Sequence, residues 1–259
     1  MTDEPISQRP TKLRLRGMTL GDYQTNAYIA WVENPAAPEG ERAPCWIFDA
    51  PGNPPSPGAE SHAEGEIGQL IESLNDLRLE PTHILLTHCH LDHIAGLTAL
   101  RAAFPRAAVR VHEAERDWLT DPVKNLSAFS GQPVTAPPLD PTKGDATVVD
   151  GQQIVMTAPP PRDSQPAPKD LLWHVLHVPG HSPGSVAYHC PLAGLVIGGD
   201  ALFAGSVGRT DFPNCSHQQL IASIRSKLLT LPPETRLFPG HGPSTTIADE
   251  ARSNPFLNA

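Results

Sequence analysis

The chain of 259 residues is long enough to bury a substantial core and fits one large domain or two small ones. Its formal net charge of −9 argues against a nucleic-acid partner, because nucleic-acid-binding proteins need a cationic face to neutralise phosphates. The polar N-terminal residues 1–8 and the absence of any apolar run near the ~18 residues of a membrane span predict a soluble, cytoplasmic protein without a membrane partner.

Short apolar runs separated by turns predict a series of strands, and spaced apolar positions predict helices. In chain order, the predicted strands are 26–32, 45–49, 83–87, 109–112, 147–149, 153–156, 171–178, 186–189, 195–199 and 235–238. The predicted helices are 63–79, 94–104 and 216–229. Ser216 is a plausible N-cap of the last helix, and Pro81 is expected to break the chain before strand 83–87.

The connecting segments hold most of the thirty prolines, which suggests long, rigid loops around a globular body. Segment 113–146 is irregular and is expected to cover another part of the molecule. The Pro-rich segment 157–170 is interpreted as an exposed local insertion. The element order, β-rich, α, β-rich, α, favours an α/β fold of mixed sheets with helices on the outer faces, in a single domain over residues 1–259.

Histidine and aspartate residues follow the ends of several predicted strands. These residues are His88, His90, Asp92 and His93 in an H-x-H-x-D-H motif, and then His181, Asp200 and His241. Glycines beside the later residues let the backbone turn sharply, so we expect all the side chains to converge at one rim of a sheet. Five histidines and two aspartates exceed the about four ligands of one zinc-like ion, but they suit two ions that share a carboxylate. Two ions about 3.5–4 Å apart can hold a hydroxide and polarise an ester-type carbonyl.

This order of ligands resembles that of the metallo-β-lactamase superfamily, from about Thr25 to the end of the chain. The resemblance implies an αββα sandwich of two mixed β-sheets flanked by helices. It implies a first metal ion on His88, His90 and His181 and a second on Asp92, His93 and His241, with Asp200 bridging. Asp92 would also orient the hydroxide, so Asp92 and Asp200 are the candidate catalytic residues. The two divalent ions are expected to be zinc, although iron and manganese also suit these ligands.

The remaining histidines receive a structural interpretation, because a lone histidine is usually structural. They are His62, His83, His112, His174, His177, His189 and His217. Cys89 lies inside the motif, where a thiolate ligand is conceivable, but we expect it to be a small filler residue. Ser182 and Ser185 are expected to hydrogen-bond behind the metal ligands.

Three stretches narrow the resemblance within the superfamily. GGDALFAGSVGRTDFP at 198–213, LFPGHGPSTTI at 237–247 and NPFL at 254–257 are similar to the short-form, glyoxalase II-like hydrolases of bacteria. That resemblance implies hydrolysis of a small-molecule thioester, S-lactoylglutathione or a related acylglutathione, by a hydroxide that bridges the two metals. A thiolate, with a reference pKa near 8.5, leaves with little acid assistance. The short tail after His241 is expected to leave no room for the helical domain that supplies glutathione contacts in longer glyoxalases.

Two features have alternative interpretations. Arg209 is a candidate for binding a substrate carboxylate, but an ion pair with Asp211 would explain it equally well. Segment 125–134 could line the entrance of the site or form an ordinary loop.

Four alternatives compete with thioester hydrolysis. A glutathione persulfide dioxygenase with a single iron shares the stretch 208–212, although Gly242-Pro243 after His241 resembles the hydrolases. A tRNA-maturing nuclease shares the histidine motif, but the net charge and the lack of a basic, glycine-rich arm argue against it. A β-lactamase is less expected, because β-lactamases usually lack an equivalent of Asp200. A non-catalytic scaffold would be expected to have lost ligands, and none is missing.

Overall fold

The computed structural model describes residues 12–33, 41–53, 66–158 and 170–258. Their main feature is a pair of six-stranded mixed sheets. The first sheet contains, in spatial order, β1 (Leu13–Leu20), β2 (Thr25–Val32), β3 (Ala43–Phe48), β4 (Leu79–Leu85), β5 (Ala108–His112) and β6 (Ala146–Val148). The second sheet contains β7 (Gln153–Met156), β8 (Leu171–His177), β9 (Val186–Cys190), β10 (Leu195–Gly199), β13 (Arg236–Pro239) and β14 (Thr245–Thr246), in the spatial order β14-β13-β10-β9-β8-β7. A small hairpin pairs β11 (Leu202–Phe203) with β12 (Ser206–Val207).

Helices lie on the outer face of each sheet. They are α1 (Glu66–Asp76), α2 (Leu91–Ile94), α3 (Leu97–Ala103), α4 (His217–Ser223) and α5 (Ile247–Ser253). Leu70 of α1 and Leu100 of α3 share one buried cluster with the first sheet, and Leu220 of α4 and Ile247 of α5 share another with the second. The predicted αββα sandwich is therefore confirmed. No helix in the described ranges combines the length and the apolar character needed to cross a bilayer.

The two sheets meet through an aromatic core. Phe48 of β3 lies 5.0 Å from the ring of Trp173 and 5.5 Å from the ring of Tyr188, both on the opposite sheet. All three side chains are fully buried. In β2, alternate residues point away from this aromatic core, so that Ile29 packs under α1 and α3. This two-sided burial explains why β2 reads as a nearly continuous apolar run.

Pro81 does not break the chain as predicted; it lies inside β4. Strand β4 pairs with β3 in parallel, and the register moves from Cys45 opposite Pro81 to Trp46 opposite His83. Thr82 is the extra residue of this bulge, and its hydroxyl donates to the carbonyl of Cys45 at 3.2 Å. A bulge accommodates proline because proline has no N–H to give to the ladder.

The predicted helix 94–104 corresponds to α3, which begins only at Leu97, because Ile94 ends the short helix α2 and Gly96 lies between the two. The N–H of Gly96 donates to Ala50 at 2.8 Å, and a Cβ at this position would lie 2.6 Å from the carbonyl oxygen of Pro51. The close approach of these two backbones interrupts the helix. Helix α5, which the sequence analysis missed, follows Thr246, whose side chain accepts from the N–H of Asp249.

The last predicted helix, 216–229, is confirmed with its cap. The hydroxyl of Ser216 accepts from the N–H of Gln219, and α4 continues as a π-helical segment over Ile224–Leu228. Segment 113–146 contains a 3₁₀ helix at Glu113–Thr120. Most of the predicted insertion, residues 159–169, lies outside the described residues.

Candidate metal centre

The topology of the two sheets brings the predicted ligands to one rim. Strands β8 and β10 both run antiparallel to β9, and β13 runs parallel to β10, so these three strands end at the same edge. His181, Asp200 and His241 follow those three ends. The H-x-H-x-D-H motif follows β4 of the facing sheet and runs into α2, which carries Asp92 and His93.

Seven side chains form three overlapping groups, within each of which the potential ligand atoms lie within 4.8 Å of one another. The groups are His88 with His90 and His181, His88 with His93 and Asp200, and Asp92 with His93 and His241. These are the seven residues that the sequence analysis selected. Among the residues that the structure describes, Cys89 belongs to no such group, and burial raises the pKa of its thiol well above the usual value.

The first group has the spacing of a tetrahedral metal site. Nε2 of His181 lies 3.2 Å from Nε2 of His88 and 2.9 Å from Nδ1 of His90. Ligand nitrogens about 2.05 Å from a tetrahedral zinc ion stand roughly 3.3 Å apart. Burial lowers the pKa of His90 to about 3 and that of His88 well below its usual value, so both rings are neutral at pH 7. Neutral imidazole is the form that binds a metal.

The second group, unlike the first, contains a carboxylate. Oδ2 of Asp92 lies 3.2 Å from Nε2 of His241 and 3.4 Å from Nε2 of His93. Burial opposes a proton on His241, yet hydrogen bonds to Asp200 and Asp92 raise its pKa to about 10. The two carboxylates therefore draw positive charge into the site, and divalent cations supply such charge.

Asp200 stands between the two groups. Its Oδ2 lies 3.6 Å from Nε2 of His181 and 3.3 Å from Nε2 of His241. Its Oδ1 lies 3.4 Å from Nε2 of His93, and both of these atoms are buried without a hydrogen-bond partner in the described ranges. Buried polar atoms without partners are costly. Since a cation would satisfy both atoms, the residues present fit a pair of metal ions.

Hydrogen bonds on the far side of the rings fix their orientation. The Nδ1 partners are the hydroxyl of Thr87 for His88 (3.1 Å), the carbonyl of Arg209 for His181 (2.8 Å), the carboxylate of Asp49 for His93 (2.9 Å) and the carbonyl of Gln24 for His241 (3.3 Å). The hydroxyl of Thr25 donates to Asp92 at 2.7 Å. Such bonds set the tautomer, so that the Nε2 atoms of these four histidines face the centre.

Asp49 is a buried positioning residue that the sequence analysis assigned only to a strand end. Besides His93, it accepts from the N–H of Thr87 at 2.7 Å and from the hydroxyl of Thr87 at 2.8 Å. It thus connects β3 to both ends of the histidine motif. An acidic residue that ends an apolar strand was the available signal.

We expect Asp49→Asn to weaken metal binding by about 10- to 100-fold. The amide retains one acceptor oxygen for the N–H of Thr87 but presents a donor toward His93, so the ring loses its fixed tautomer. Competition with a chromophoric chelator measures the affinity. Asp211→Asn, at an exposed surface position, is the matched control and should bind metal normally. Equal affinities in the two variants would contradict the role of Asp49.

Glu115 is a second buried carboxylate that sequence reasoning missed. It accepts from the N–H of Cys89 at 2.6 Å, from the N–H of Gly184 at 2.7 Å and from the hydroxyl of Ser182. The hydroxyl groups of Ser182 and Ser185 are also 2.7 Å apart, as expected for hydrogen bonds behind the ligands. Glu115 therefore joins the loop of His88 and His90 to the loop of His181.

A cavity of about 630 Å³ opens onto the metal centre. Its lining includes His90, Asp92, His181, Asp200 and His241. Leu126, Phe129 and Ser130 also line it, so part of segment 125–134 does border the site.

Arg209 lines the same cavity and also forms the predicted ion pair. Its Nε and one terminal nitrogen donate to the carboxylate of Asp211 at 3.0 and 2.8 Å. The guanidinium lies 4.5 Å from the ring centre of Phe212.

Comparison with known proteins agrees with this geometry. The family model described as the metallo-beta-lactamase superfamily matches residues 48–241, most of the chain. The chain belongs to the metallo-β-lactamase superfamily. The match begins at the end of β3 and runs to His241, so it includes all seven side chains of the centre. Membership supports a metal-dependent hydrolase.

Several known proteins are similar to this chain over most of their own length. The probable metallo-hydrolase YqgX of Bacillus subtilis is 37% identical over 95% of this chain and 98% of its own. The hydroxyacylglutathione hydrolase GloC of Haemophilus influenzae is 32% identical over 75% of this chain and 84% of its own. The BLEG-1 B3 metallo-beta-lactamase structure is 35% identical, covers 95% of this chain and 100% of its own, and has a TM-score of 0.75. The TTHA1623 structure, in a di-iron-bound form, is 34% identical over 93% of this chain and 100% of its own, with a TM-score of 0.68.

Proposed function

We propose that this protein hydrolyses thioesters with two divalent metal ions, held by His88, His90 and His181 and by Asp92, His93 and His241, with Asp200 shared. The observation that carries the proposal is the position of Asp200 between two sets of ligand atoms, with its buried Oδ1 facing Nε2 of His93 and neither atom hydrogen-bonded in the described ranges. Acylglutathiones such as S-lactoylglutathione are the proposed substrates, which the similarity to GloC supports. Zinc is the proposed metal, and the di-iron form of TTHA1623 makes iron the alternative.

The bound metal ions and Asp92 have different roles in the proposed hydrolysis. When bound, two metal ions lower the pKa of the attacking water and polarise the thioester carbonyl. Asp92 lies on the cavity wall, where it would orient the water and accept its proton. The water oxygen adds to the carbonyl carbon, the carbon–sulfur bond breaks, and the thiol leaves as thiolate. The thiolate takes up the proton that Asp92 accepted, so the products are a carboxylic acid and a thiol.

Removing the metal tests this assignment. We expect dialysis against a chelator to abolish hydrolysis of S-lactoylglutathione and to lower the melting temperature by several degrees, because the ions bind only the folded state. Adding back zinc or iron should restore both properties. Elemental analysis should give two ions per chain. A protein that hydrolyses the thioester at full rate after its metal is removed would overturn the proposal.

A second candidate activity is hydrolysis of β-lactams, which the similarity to the BLEG-1 structure favours. A chromogenic cephalosporin assayed beside S-lactoylglutathione separates the two substrate classes. The persulfide dioxygenase alternative is tested with glutathione persulfide, since one iron per chain and oxygen uptake would indicate that enzyme.

A further inference from the structure

The cavity over the metal centre has mostly apolar walls. Five chain segments contribute them, through Tyr23, Leu91, Leu126, Phe129, Phe203, Phe212 and Pro213. A cavity of about 630 Å³ is in the size range of small-molecule sites, and its volume far exceeds that of a methyl group. An acyl group as small as lactoyl would leave most of this apolar wall uncovered.

Aromatic rings flank the ligands on both sides of the centre. The ring of Phe212 lies 5.7 Å from that of His90 and 6.4 Å from that of His181, while the ring of Phe203 lies 6.1 Å from that of His241. A carbonyl that reacts beside these histidines therefore has an aromatic surface within reach of its substituent. Aromatic pairs prefer edge-to-face or offset contacts at such separations.

The cavity rim holds two aromatic side chains that are open to solvent. Phe129 is 72% exposed and Tyr23 is 48% exposed, although most of the large apolar side chains are buried. Exposed apolar surface that continues into a cavity marks a binding site. Phe129 and Tyr23 therefore extend the apolar wall outward.

Positive charge is scarce in this cavity. Arg209 is the one lysine or arginine in the part of the lining that the structure describes, and Asp211 already engages two of its nitrogens. Among the described residues that line the cavity, no guanidinium or ammonium is left unpaired to receive the carboxylates of glutathione. The charged groups of the glutathione part of an acylglutathione therefore face solvent more favourably, and the acyl substituent can contact the apolar wall.

We propose that this cavity selects thioesters whose acyl substituent is apolar and larger than methyl, with a phenyl ring preferred, and that Phe129 contributes to this selection. The proposal rests on the thioester hydrolysis proposed above and specifies the acyl substituent as the part of the substrate that the cavity recognises. Covering more of the apolar wall stabilises the transition state through the hydrophobic effect.

Kinetics on two substrates with the same thiol test the proposal. S-mandeloylglutathione carries a phenyl ring where S-lactoylglutathione carries a methyl group. We expect kcat/KM for the mandeloyl substrate to be about 10- to 100-fold higher, the range that apolar pocket contacts give. Phe129→Ala should reduce this ratio several-fold, chiefly by lowering the mandeloyl value. Phe256→Ala, at an aromatic side chain that is 44% exposed and does not line the cavity, should leave the ratio unchanged.

Binding of uncleavable thioethers separates this proposal from the proposed hydrolysis. In the metal-loaded protein, calorimetry should show that S-benzylglutathione binds at least tenfold more tightly than S-methylglutathione, with the difference reduced in Phe129→Ala but not in Phe256→Ala. If this preference holds while no thioester is cleaved, the hydrolysis proposal fails and the cavity proposal stands. If thioesters are cleaved but lactoyl equals mandeloyl, or the two thioethers bind equally, the cavity proposal fails.

Discussion

Replacing His88 with alanine should remove the metal from the first site and reduce the proposed hydrolysis of S-lactoylglutathione by at least about a thousand-fold. His88 belongs to two of the three ligand groups, so its loss disturbs both metal positions. Metal ions contribute several kcal/mol of transition-state stabilisation, and about 1.4 kcal/mol corresponds to a factor of ten in rate. Elemental analysis and steady-state kinetics on the same preparation measure the two effects.

The fold should survive this substitution, because His88 sits at the rim of the sheet and, within the described ranges, its side chain hydrogen-bonds to Thr87 and His181. Circular dichroism checks that expectation. The matched control is His217→Ala, which removes an exposed imidazole from α4 without touching the centre. Thioester hydrolysis at the normal rate in the His88 variant would remove the basis for assigning the centre.

The seven side chains of the centre could be selected from the sequence because each has a local signal. His88 to His93 directly follow a buried strand, and Asp200 and His241 follow apolar runs that end in glycine. Strands β8, β10 and β13 run in the same direction, so their ends lie at one edge, and the end of β4 in the facing sheet lies beside them. The order of strand and helix patterns predicted mixed sheets with helices on the outer faces, and the resemblance to the superfamily supplied the αββα arrangement.

Other residues could not be selected, because their partners lie far away along the chain. Asp49 binds Thr87, 38 residues away, and Glu115 binds Ser182 and Gly184, 67 and 69 residues away. A single carboxylate in an irregular segment has no period or spacing that reveals such a partner. The bulge at Pro81 was hidden in the same way, since it exists only in the pairing of β4 with β3.

Replacing Glu115 with alanine should be the most destabilising single change among the residues behind the ligands. The carboxylate is fully buried and receives two backbone N–H groups and one hydroxyl, and alanine would leave these donors without that acceptor. Each unsatisfied buried donor costs about 1–3 kcal/mol. We therefore expect the free energy of unfolding to fall by about 3–5 kcal/mol, measured by urea denaturation of the metal-loaded protein.

Glu115→Gln separates the hydrogen bonds from the charge. The amide keeps one acceptor oxygen and nearly the same volume, so two of the three bonds can form, and the loss should be about half that of alanine. Burial raises the pKa of Glu115, although its hydrogen bonds with Ser182, Gly184 and Cys89 oppose that shift, so part of the stability of the carboxylate comes from its donors. Because Glu115 joins the loops of His88 and His181, both variants should also bind metal more weakly, in the order glutamate, glutamine, alanine. An alanine variant as stable as the parent would show that solvent or a rearranged loop replaces the carboxylate.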